Sequence, residues 1–241
     1  MKATLLFSLI LTLLSVMITA EKSSAQDIKG DGNVVKESRS VSSFSKIEMD
    51  DVINVFLTQA ESESVIVESD KNIIPLISTN VKDDKLYITL KSGIKIEKVT
   101  KINVYVNIRN IDEIELNGVG NLKSTNKLEL GNFKISSNSV GNTNLDLSCD
   151  NLELQNNSVG NTTLTGKAEN VNIISNSVGN VNASGLTAQI LTIHNNSVGN
   201  AEVKADKEIY ISQSGIGNIT YKGNAVVRKL DKSGIGNVRK D

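Results

Sequence analysis

The chain has 241 residues, a formal net charge of −1 and a sequence pI of about 6.0. It lacks the basic excess on which nucleic-acid binding depends. With one Cys and one His, it can form neither an intrachain disulfide nor a metal site built from several thiolates or imidazoles. Branched aliphatic residues, Asn and Ser dominate, so the chain can build a core, although one with few aromatic side chains.

The first 25 residues are predicted to be a signal peptide for export. Lys2 supplies a short positive region, residues 5–18 are apolar, and a small-residue cleavage site ends at Ala25. Cleavage after Ala20 remains an alternative. So does an uncleaved membrane anchor, because the apolar run is just long enough to span a bilayer. We expect an exported protein, located in the periplasm, at the cell surface or outside the cell.

Two segments separate this signal from the rest of the chain. Residues 26–40 are polar and contain Gly, which predicts a linker. Over 41–116 apolar and polar residues alternate, and polar turn-like stretches lie between the alternating runs. A period of two is typical of half-buried strands. We therefore expect a less regular β segment over 41–116 that caps the N-terminal end of the structure following it.

A five-residue motif then recurs seven times. It reads NGVGN at 117–121, NSVGN in the next four copies and SGIGN in the last two. The final Asn residues are separated by 21, 19, 19, 20, 18 and 19 residues. Such a period indicates an array of stacked units. It predicts an all-β parallel β-helix (β-solenoid) of about seven coils of ~19 residues over 117–241, each with about three short strands. Residues 41–241 then form one domain.

Two apolar columns keep a constant distance from the motif and are predicted to form the core. Stacking the coils about 4.8 Å apart would bury them. The Val or Ile inside each motif is also expected to enter the core. Arg228 interrupts the first column in the last coil. The columns are Phe133, Leu152, Val171, Leu191 and Ile209, and Ile135, Leu154, Ile173, Ile193, Ile211 and Leu230.

The Gly and Asn of each motif are predicted to form a corner. Gly adopts positive φ freely, and Asn tolerates it better than most residues. The stacked Asn side chains are expected to form ladders in which amides hydrogen-bond from coil to coil. The corner and ladder residues are Asn117, Asn121, Asn138, Asn142, Asn157, Asn161, Asn176, Asn180, Asn196, Asn200, Asn218 and Asn237.

The exported start, the alternating segment that leads to INVYVNIRNIDEIELNGVGN, and the repeated G-[VI]-G-N corners resemble the head-GIN domain family. The resemblance covers roughly 41–237. It implies a β-solenoid-type fold and an adhesin of the bacterial cell envelope, and the family has no established catalytic residues to carry over. The corners here read GVGN and GIGN where the family's name suggests G-I-N.

The residues of the repeats do not favour a catalytic site. Glu113 and Glu153 are expected two coils apart, about 9.6 Å, near the separation used by inverting glycosidases. Lys134 is expected between them, however, and a cation lowers the pKa of a neighbouring carboxyl, the opposite of what a general acid needs. The sequence predicts an ion ladder. His194 is expected on the outward side of its strand without partners for catalysis.

The sequence thus favours a non-enzymatic envelope or surface module with no cofactor, metal or catalytic residue. The expected partners are a glycan or an envelope protein, with membrane contact only through the signal peptide. The candidate binding face is the outward column of Asn144, Thr163 and Asn182. Two alternatives stay open. One is a structural, self-assembling scaffold, which would be a homo-oligomer. The other is a polysaccharide-active enzyme on the same fold.

Overall fold

A computed structural model describes residues 26–241. The predicted signal peptide lies outside the described residues. Strands make up 67% of the structure, and the described part contains no α-helix, only a 3-10 turn at Ile74–Leu76.

Nine strands form the N-terminal part of the described chain. They are β1 (Gln26–Lys29), β2 (Val34–Arg39), β3 (Lys46–Met49), β4 (Asn54–Gln59), β5 (Ser64–Asp70), β6 (Ile77–Lys82), β7 (Lys85–Leu90), β8 (Ile94–Lys98) and β9 (Ile102–Ile108). Ten more strands follow. They are β10 (Glu113–Leu116), β11 (Leu122–Ser124), β12 (Leu128–Ser137), β13 (Thr143–Asn156), β14 (Thr162–Ser175), β15 (Val181–Asn195), β16 (Ala201–Gln213), β17 (Ile219–Lys222), β18 (Val226–Lys232) and β19 (Val238–Lys240).

The repeats stack as a parallel β-solenoid, which confirms the predicted fold class. Strands β12 to β16 pair in parallel in chain order. Equivalent residues of successive coils are partners, as Leu152 is of Phe133 and of Val171. In the central coils one strand of 13 to 15 residues runs from motif to motif. Three separate strands per coil were expected. The backbone hydrogen bonding between coils continues through the bends, because neighbouring coils bend at the same positions.

The solenoid begins earlier in the sequence than the repeat suggested. Strands β3 and β4 pair in parallel with β10 and β11, and Val52 bridges Val119. Residues 50–54 (DDVIN) therefore occupy the corner of an additional first coil. The chain then leaves the stack, builds the N-terminal segment, and returns at β10. The motif is hard to recognise here because both of its Gly positions are filled by other residues.

The segment between these two coils extends the strand pairing of the solenoid beyond both β3 and β4. On one side β7 pairs with β3, and β6 pairs antiparallel with β7. On the other side β9 pairs with β4, and β5 and β2 add antiparallel strands beyond β9. One continuous apolar core runs from Phe44 to Ala225 through both parts. The N-terminal segment thus covers the first coil, as a cap does.

The prediction of a linker over 26–40 is wrong. Strand β1 pairs in parallel with β8, and β2 pairs antiparallel with β5. Both strands are mostly exposed or half-buried. A strand at the edge of a sheet needs few apolar residues because the backbone ladder holds it, so its polar composition resembles that of a linker.

The two core columns are buried in every coil except the last. Their members in β12 to β16 are at most 3% exposed. Leu230 is 46% exposed, and Arg228 is also exposed, since no further described coil covers β18.

The prediction that the motif Val enters the core is wrong. Val140, Val159, Val178 and Val198 are 50 to 54% exposed. The preceding Ser points inward instead, and Ser139, Ser158, Ser177 and Ser197 are buried. Successive residues of extended chain face opposite sides, so an inward Ser forces the next residue outward.

Buried Ser residues are stable here because a second polar column lies beside them. Ser137, Asn156, Ser175, Asn195 and Gln213 are all buried. Ser158 Oγ donates to Asn156 Oδ1, and Asn195 Nδ2 donates to Gln213 Oε1 at 2.9 Å. Buried polar atoms paired in this way avoid the desolvation cost of an unmade bond. A polar seam thus runs inside the corner.

Candidate binding surfaces

The corner Asn residues form an unbroken ladder. Asn142 Oδ1 accepts the backbone N–H of Asn161 at 3.0 Å, and Asn161 Oδ1 accepts that of Asn180 at 3.0 Å. The same bond joins every successive pair from Asn54 to Asn237. None of these Asn residues has positive φ, contrary to the conformational part of the expectation. In the motif that role belongs to the Gly alone.

A second amide ladder lies at the start of the motif. Asn138 Nδ2 donates to Asn117 Oδ1 at 3.3 Å, Asn157 to Asn138 at 3.0 Å, and Asn176 to Asn157 at 2.9 Å. The column continues at Asn196, whose Oδ1 accepts from the Ser214 hydroxyl. Both ladders have exposed side chains, but much of their hydrogen-bonding capacity is used within the stack.

The predicted face of Asn144, Thr163 and Asn182 is in register across β13, β14 and β15. Asn144 and Asn182 are exposed and Thr163 is half-buried. The column continues through Lys123 at one end and Glu202 at the other. None of the three predicted residues lines the groove described next.

A concave site lies instead on the sheet that precedes the motif. A groove of about 430 Å³ crosses β12, β13, β14 and β15. Two outward columns form its sides, and the backbone of the buried core column forms its floor. One side comprises Asn132, Asn151, Asn170 and Ile190, and the other comprises Lys134, Glu153, Asn172 and Thr192.

The two sides of the groove differ in how many of their polar side chains already make hydrogen bonds within the chain. Asn151 Nδ2 donates to Asn132 Oδ1 at 2.6 Å, and Asn170 Nδ2 donates to Asn151 Oδ1 at 2.9 Å, so this side is a third amide ladder. Within the described chain, the side chains of Asn172 and Thr192 make no hydrogen bond. They therefore offer an amide and a hydroxyl to a ligand.

Side-chain contacts on β16 limit one end of the groove. At β16 the Tyr210 hydroxyl donates to Glu208 Oε2 at 3.0 Å, and Arg228 Nη2 donates to Glu208 Oε1 at 2.7 Å. Tyr210 and Glu208 continue the two sides of the groove, so their bond crosses its floor. Asp112 lies at the opposite end. The open length is thus that of four coils.

The ion ladder lies at the Asp112 end. Lys134 is paired in register with Glu113 and Glu153, and its Nζ lies 2.9 Å from Glu113 Oε1. The hydrogen bond to Glu113, helped by the charge of Glu153, raises the pKa of Lys134 above its usual value. Lys134 thus lies between two carboxylates and forms an ion pair with one of them. The arrangement therefore resembles an ion-pair network more than a hydrolytic site.

Other catalytic or metal-binding groupings are few. His194 is exposed on its strand, as predicted. Within residues 26–241, no group of three or more His, Cys, Asp or Glu side chains is placed to hold a metal ion. Burial, helped by the charge of Asp150, raises the pKa of the Cys149 thiol to about 11, so little thiolate forms at neutral pH.

Sequence reasoning missed the groove and the exposed valines. The signal for the groove was present, since Asn132, Asn151 and Asn170 stand ten residues before three successive corners. The column one residue later is apolar, so both flanking columns face outward. The exposure of the motif Val depends on whether Ser or Val turns inward at the corner, which periodicity alone does not decide.

Fold and surface together define an elongated β-solenoid that presents repeated polar columns along its coils. The family model described as "Putative auto-transporter adhesin, head GIN domain" matches residues 43–225. The chain therefore belongs to this family. A comparison with curated proteins gave no match.

Several solved structures share the fold. A "putative adhesin" from Bacteroides fragilis NCTC 9343 has a TM-score of 0.83 and 27% identity, over 89% of this chain and 100% of that chain. A "putative adhesin" from Parabacteroides distasonis ATCC 8503 has a TM-score of 0.62 and 25% identity, over 90% and 100%. A "putative lipid binding protein" from the same strain has a TM-score of 0.68 and 18% identity over the same shares, which shows the fold alone.

An adhesin-type family indicates a surface or exported protein. In residues 26–241 no helix is long and apolar enough to cross a membrane.

Proposed function

We propose that the chain is an exported, non-enzymatic surface module of the adhesin type that binds a linear glycan in the groove across β12 to β15. The observation that carries the proposal is the free amide of Asn172 and hydroxyl of Thr192, facing an ordered amide ladder. Sugar hydroxyls pair with amide and hydroxyl groups, and pre-ordered partners reduce the entropy lost on binding.

The dimensions of the groove suit a short stretch of polymer. Four coils at about 4.8 Å spacing give an open length of ~14 Å. Ile190, which is 37% exposed, provides an apolar surface for the C–H face of a sugar ring. Lys134 and Glu153 lie on the opposite side of the groove from Ile190 and toward its other end, so that with Asp112 the lining carries one cationic and two acidic side chains. A glycan with little net charge fits this balance.

The predicted face of Asn144, Thr163 and Asn182 is the competing site for the same function. Its residues are in register but lie outside the groove, and an open surface encloses less of a small ligand than a groove does. An envelope protein as partner, which needs a larger and flatter surface, is the alternative that this face would suit.

A glycan array tests the proposal. We would apply the chain from Gln26 onward, a groove variant (Asn172→Ala with Thr192→Ala) and a matched face variant (Asn144→Ala with Asn182→Ala). We expect the groove variant to lose at least about tenfold in affinity, some 1.4 kcal/mol, and the face variant to bind like the parent.

Loss of binding only in the face variant would move the site to that face. An empty array for the parent chain would contradict the glycan proposal and favour a protein partner or a scaffold role.

A further inference from the structure

An uninterrupted row of aliphatic side chains runs along the corner of the solenoid. Each belongs to a motif and bridges the equivalent residue of the next coil. We name this row and its flanking Asn residues the corner strip. Its apolar members are Val52, Val119, Val140, Val159, Val178, Val198, Ile216 and Ile235, and each is between 47% and 71% exposed.

The exposed apolar surface of the described chain is concentrated in this strip. Of its twelve large hydrophobic residues that are markedly exposed, eight belong to the strip, and the others are Ile190, Val226, Val227 and Leu230. Seven steps of about 4.8 Å make the row ~34 Å long. Single exposed hydrophobic residues are ordinary, but a contiguous line of them is a feature of interaction sites.

The Asn side chains that flank the strip have few unused hydrogen-bonding groups for a ligand. On one side each corner Asn uses its Oδ1 to accept the backbone N–H of the next coil, as Asn161 does for Asn180 at 3.0 Å. On the other side amides such as Asn157 and Asn176 bond to each other at 2.9 Å. Because these groups are largely satisfied within the stack, the apolar row is what remains to be covered.

Beyond its first coil the strip is also free of charge. The seven motifs from 117 to 237 contain only Asn, Gly, Ser, Val and Ile, in a chain whose charged residues make up 22%. A neutral strip does not attract a polyelectrolyte, and two identical neutral strips do not repel each other. A second copy therefore meets no electrostatic barrier over these seven coils.

We propose that the corner strip is a self-association surface, and that its occupant is the same strip of a second copy of this chain. Two rows with one spacing interdigitate along their whole length, as identical side chains do in dry interfaces between paired sheets with a 4.7–4.8 Å repeat. A two-fold axis closes the contact, since the same patch is used on both copies.

The first coil sets the orientation. Asp50 and Asp51 flank Val52 at one end of the strip. A parallel arrangement would place both acidic ends together, and like charges in contact are unfavourable. The antiparallel arrangement separates them by the length of the strip and places Val52 of one copy opposite Ile235 of the other. The axis then passes between Val159 and Val178.

Sedimentation of the chain from Gln26 onward, over about 1 µM to 1 mM, tests the proposal. The strip variant is Val159→Thr with Val178→Thr, which keeps the β-branched shape that stacks on neighbouring coils but makes the surface polar. The matched control is Val226→Thr with Val227→Thr, because these valines are also exposed but lie outside the strip. Thermal unfolding at a concentration where the chains are monomeric should be alike for all three.

We expect a monomer–dimer equilibrium in which the strip variant raises the Kd at least about tenfold and the control leaves it unchanged. A parent chain that stays monomeric throughout overturns the proposal, as does a dimer that only the control weakens. Binding of the monomeric chain to a neutral polysaccharide that the strip variant abolishes would assign the strip to a polymer instead. Glycan binding in the groove is expected to be the same in strip variant and parent, so the two proposals fail separately.

Disulfide trapping tests the orientation. Mixing Val52→Cys with Ile235→Cys should give a mixed disulfide, and Val52→Cys alone should give none. The native Cys149 is only 7% exposed and should stay unreacted. Trapping of Val52→Cys with itself would contradict the antiparallel arrangement.

Discussion

A Cβ atom built on Gly160 would lie 2.1 Å from the carbonyl oxygen of Gly141 in the preceding coil. Gly160 also has a φ of 145°, which L side chains rarely adopt. The same close approach recurs at the Gly that precedes the final Asn of every motif, from Gly120 to Gly236. Gly therefore recurs at this position for two reasons. The stacked backbones leave no space for a side chain, and the backbone adopts a φ that only Gly takes readily.

Replacing Gly160 with Ala should strongly destabilise the solenoid. The strained φ costs about 1–2 kcal/mol and the backbone clash adds to it, so we expect a loss of about 2–4 kcal/mol in the free energy of unfolding, measured by urea denaturation. Gly131→Ala is the matched control, because Gly131 has no atom within 4 Å of its Cβ position and lies outside the positive-φ region. Equal losses in both variants would contradict the close-packing explanation.

Removing one rung of the corner ladder should have a smaller effect. Asn161→Ala deletes the acceptor of the Asn180 backbone N–H. A typical hydrogen bond contributes about 0.5–1.5 kcal/mol net, and water can reach this exposed site, so the loss in the free energy of unfolding should fall in that range. Asn224→Ala serves as control, since Asn224 is exposed and outside the ladders. Hydrogen exchange at the Asn180 amide should accelerate in the first variant only.

The junction between cap and solenoid should depend on pH. Lys85 Nζ lies 2.8 Å from Glu115 Oε1 and 3.1 Å from Glu48 Oε2. The hydrogen bond from Lys85 outweighs burial and lowers the pKa of Glu115 below 4.5. A lowered carboxyl pKa contributes stability above the unfolded-state value, and this stability is lost as the pH falls through the folded-state value. The parent chain should therefore lose stability on acidification below about pH 4.5.

The variant Lys85→Met tests whether the ion pair of Lys85 causes this loss of stability in acid. At neutral pH the variant should be about 1–2 kcal/mol less stable, because two carboxylates lose their shared partner. Its free energy of unfolding should fall less between about pH 5 and pH 2, since Glu115 no longer has a lowered pKa to lose. Lys167→Met, at an exposed lysine outside the ion pairs, should have the same free energy of unfolding as the parent at both neutral and acidic pH. An identical acid dependence in parent and Lys85→Met would contradict the assignment.

Cys149 should resist thiol reagents in the folded chain. It is 7% exposed and its pKa is raised to about 11, so both access and thiolate content are low. We expect labelling at neutral pH to follow unfolding, with rates that rise steeply in denaturant. Fast labelling under native conditions would show that the coil around β13 opens locally.

The stacking of the coils could be predicted from the repeat, because a period near nineteen brings equivalent residues of successive coils side by side. The first coil, like the strands found in the predicted linker, could not. Its two Gly positions are filled by Asp51 and Ile53, and positive φ falls on Asp51 (62°), whereas in the later motifs it falls on the Gly at the position of Ile53. Pairing with Val119 becomes visible only when residues separated by more than sixty positions are brought together, which a search for a local period does not do.

The candidate site was less predictable than the fold. Whether Val140 or Ser139 turns inward depends on the buried polar seam, in which Ser137 Oγ lies 2.9 Å from Ser139 Oγ. That seam is made by polar side chains two residues apart along the chain and has no signature in hydrophobic periodicity. The groove likewise depends on where β16 closes it through Tyr210 and Glu208, two residues whose contact follows from side-chain geometry.

The most direct test of the proposed function is the affinity of the chain for oligosaccharides of increasing length, taken from a glycan retained on the array and measured by equilibrium dialysis. The account predicts that affinity rises until the oligosaccharide fills the ~14 Å between β12 and β15, then levels off, and that the sugar is recovered intact. Affinity independent of length, or recovery of shortened fragments, would contradict binding without catalysis in this groove.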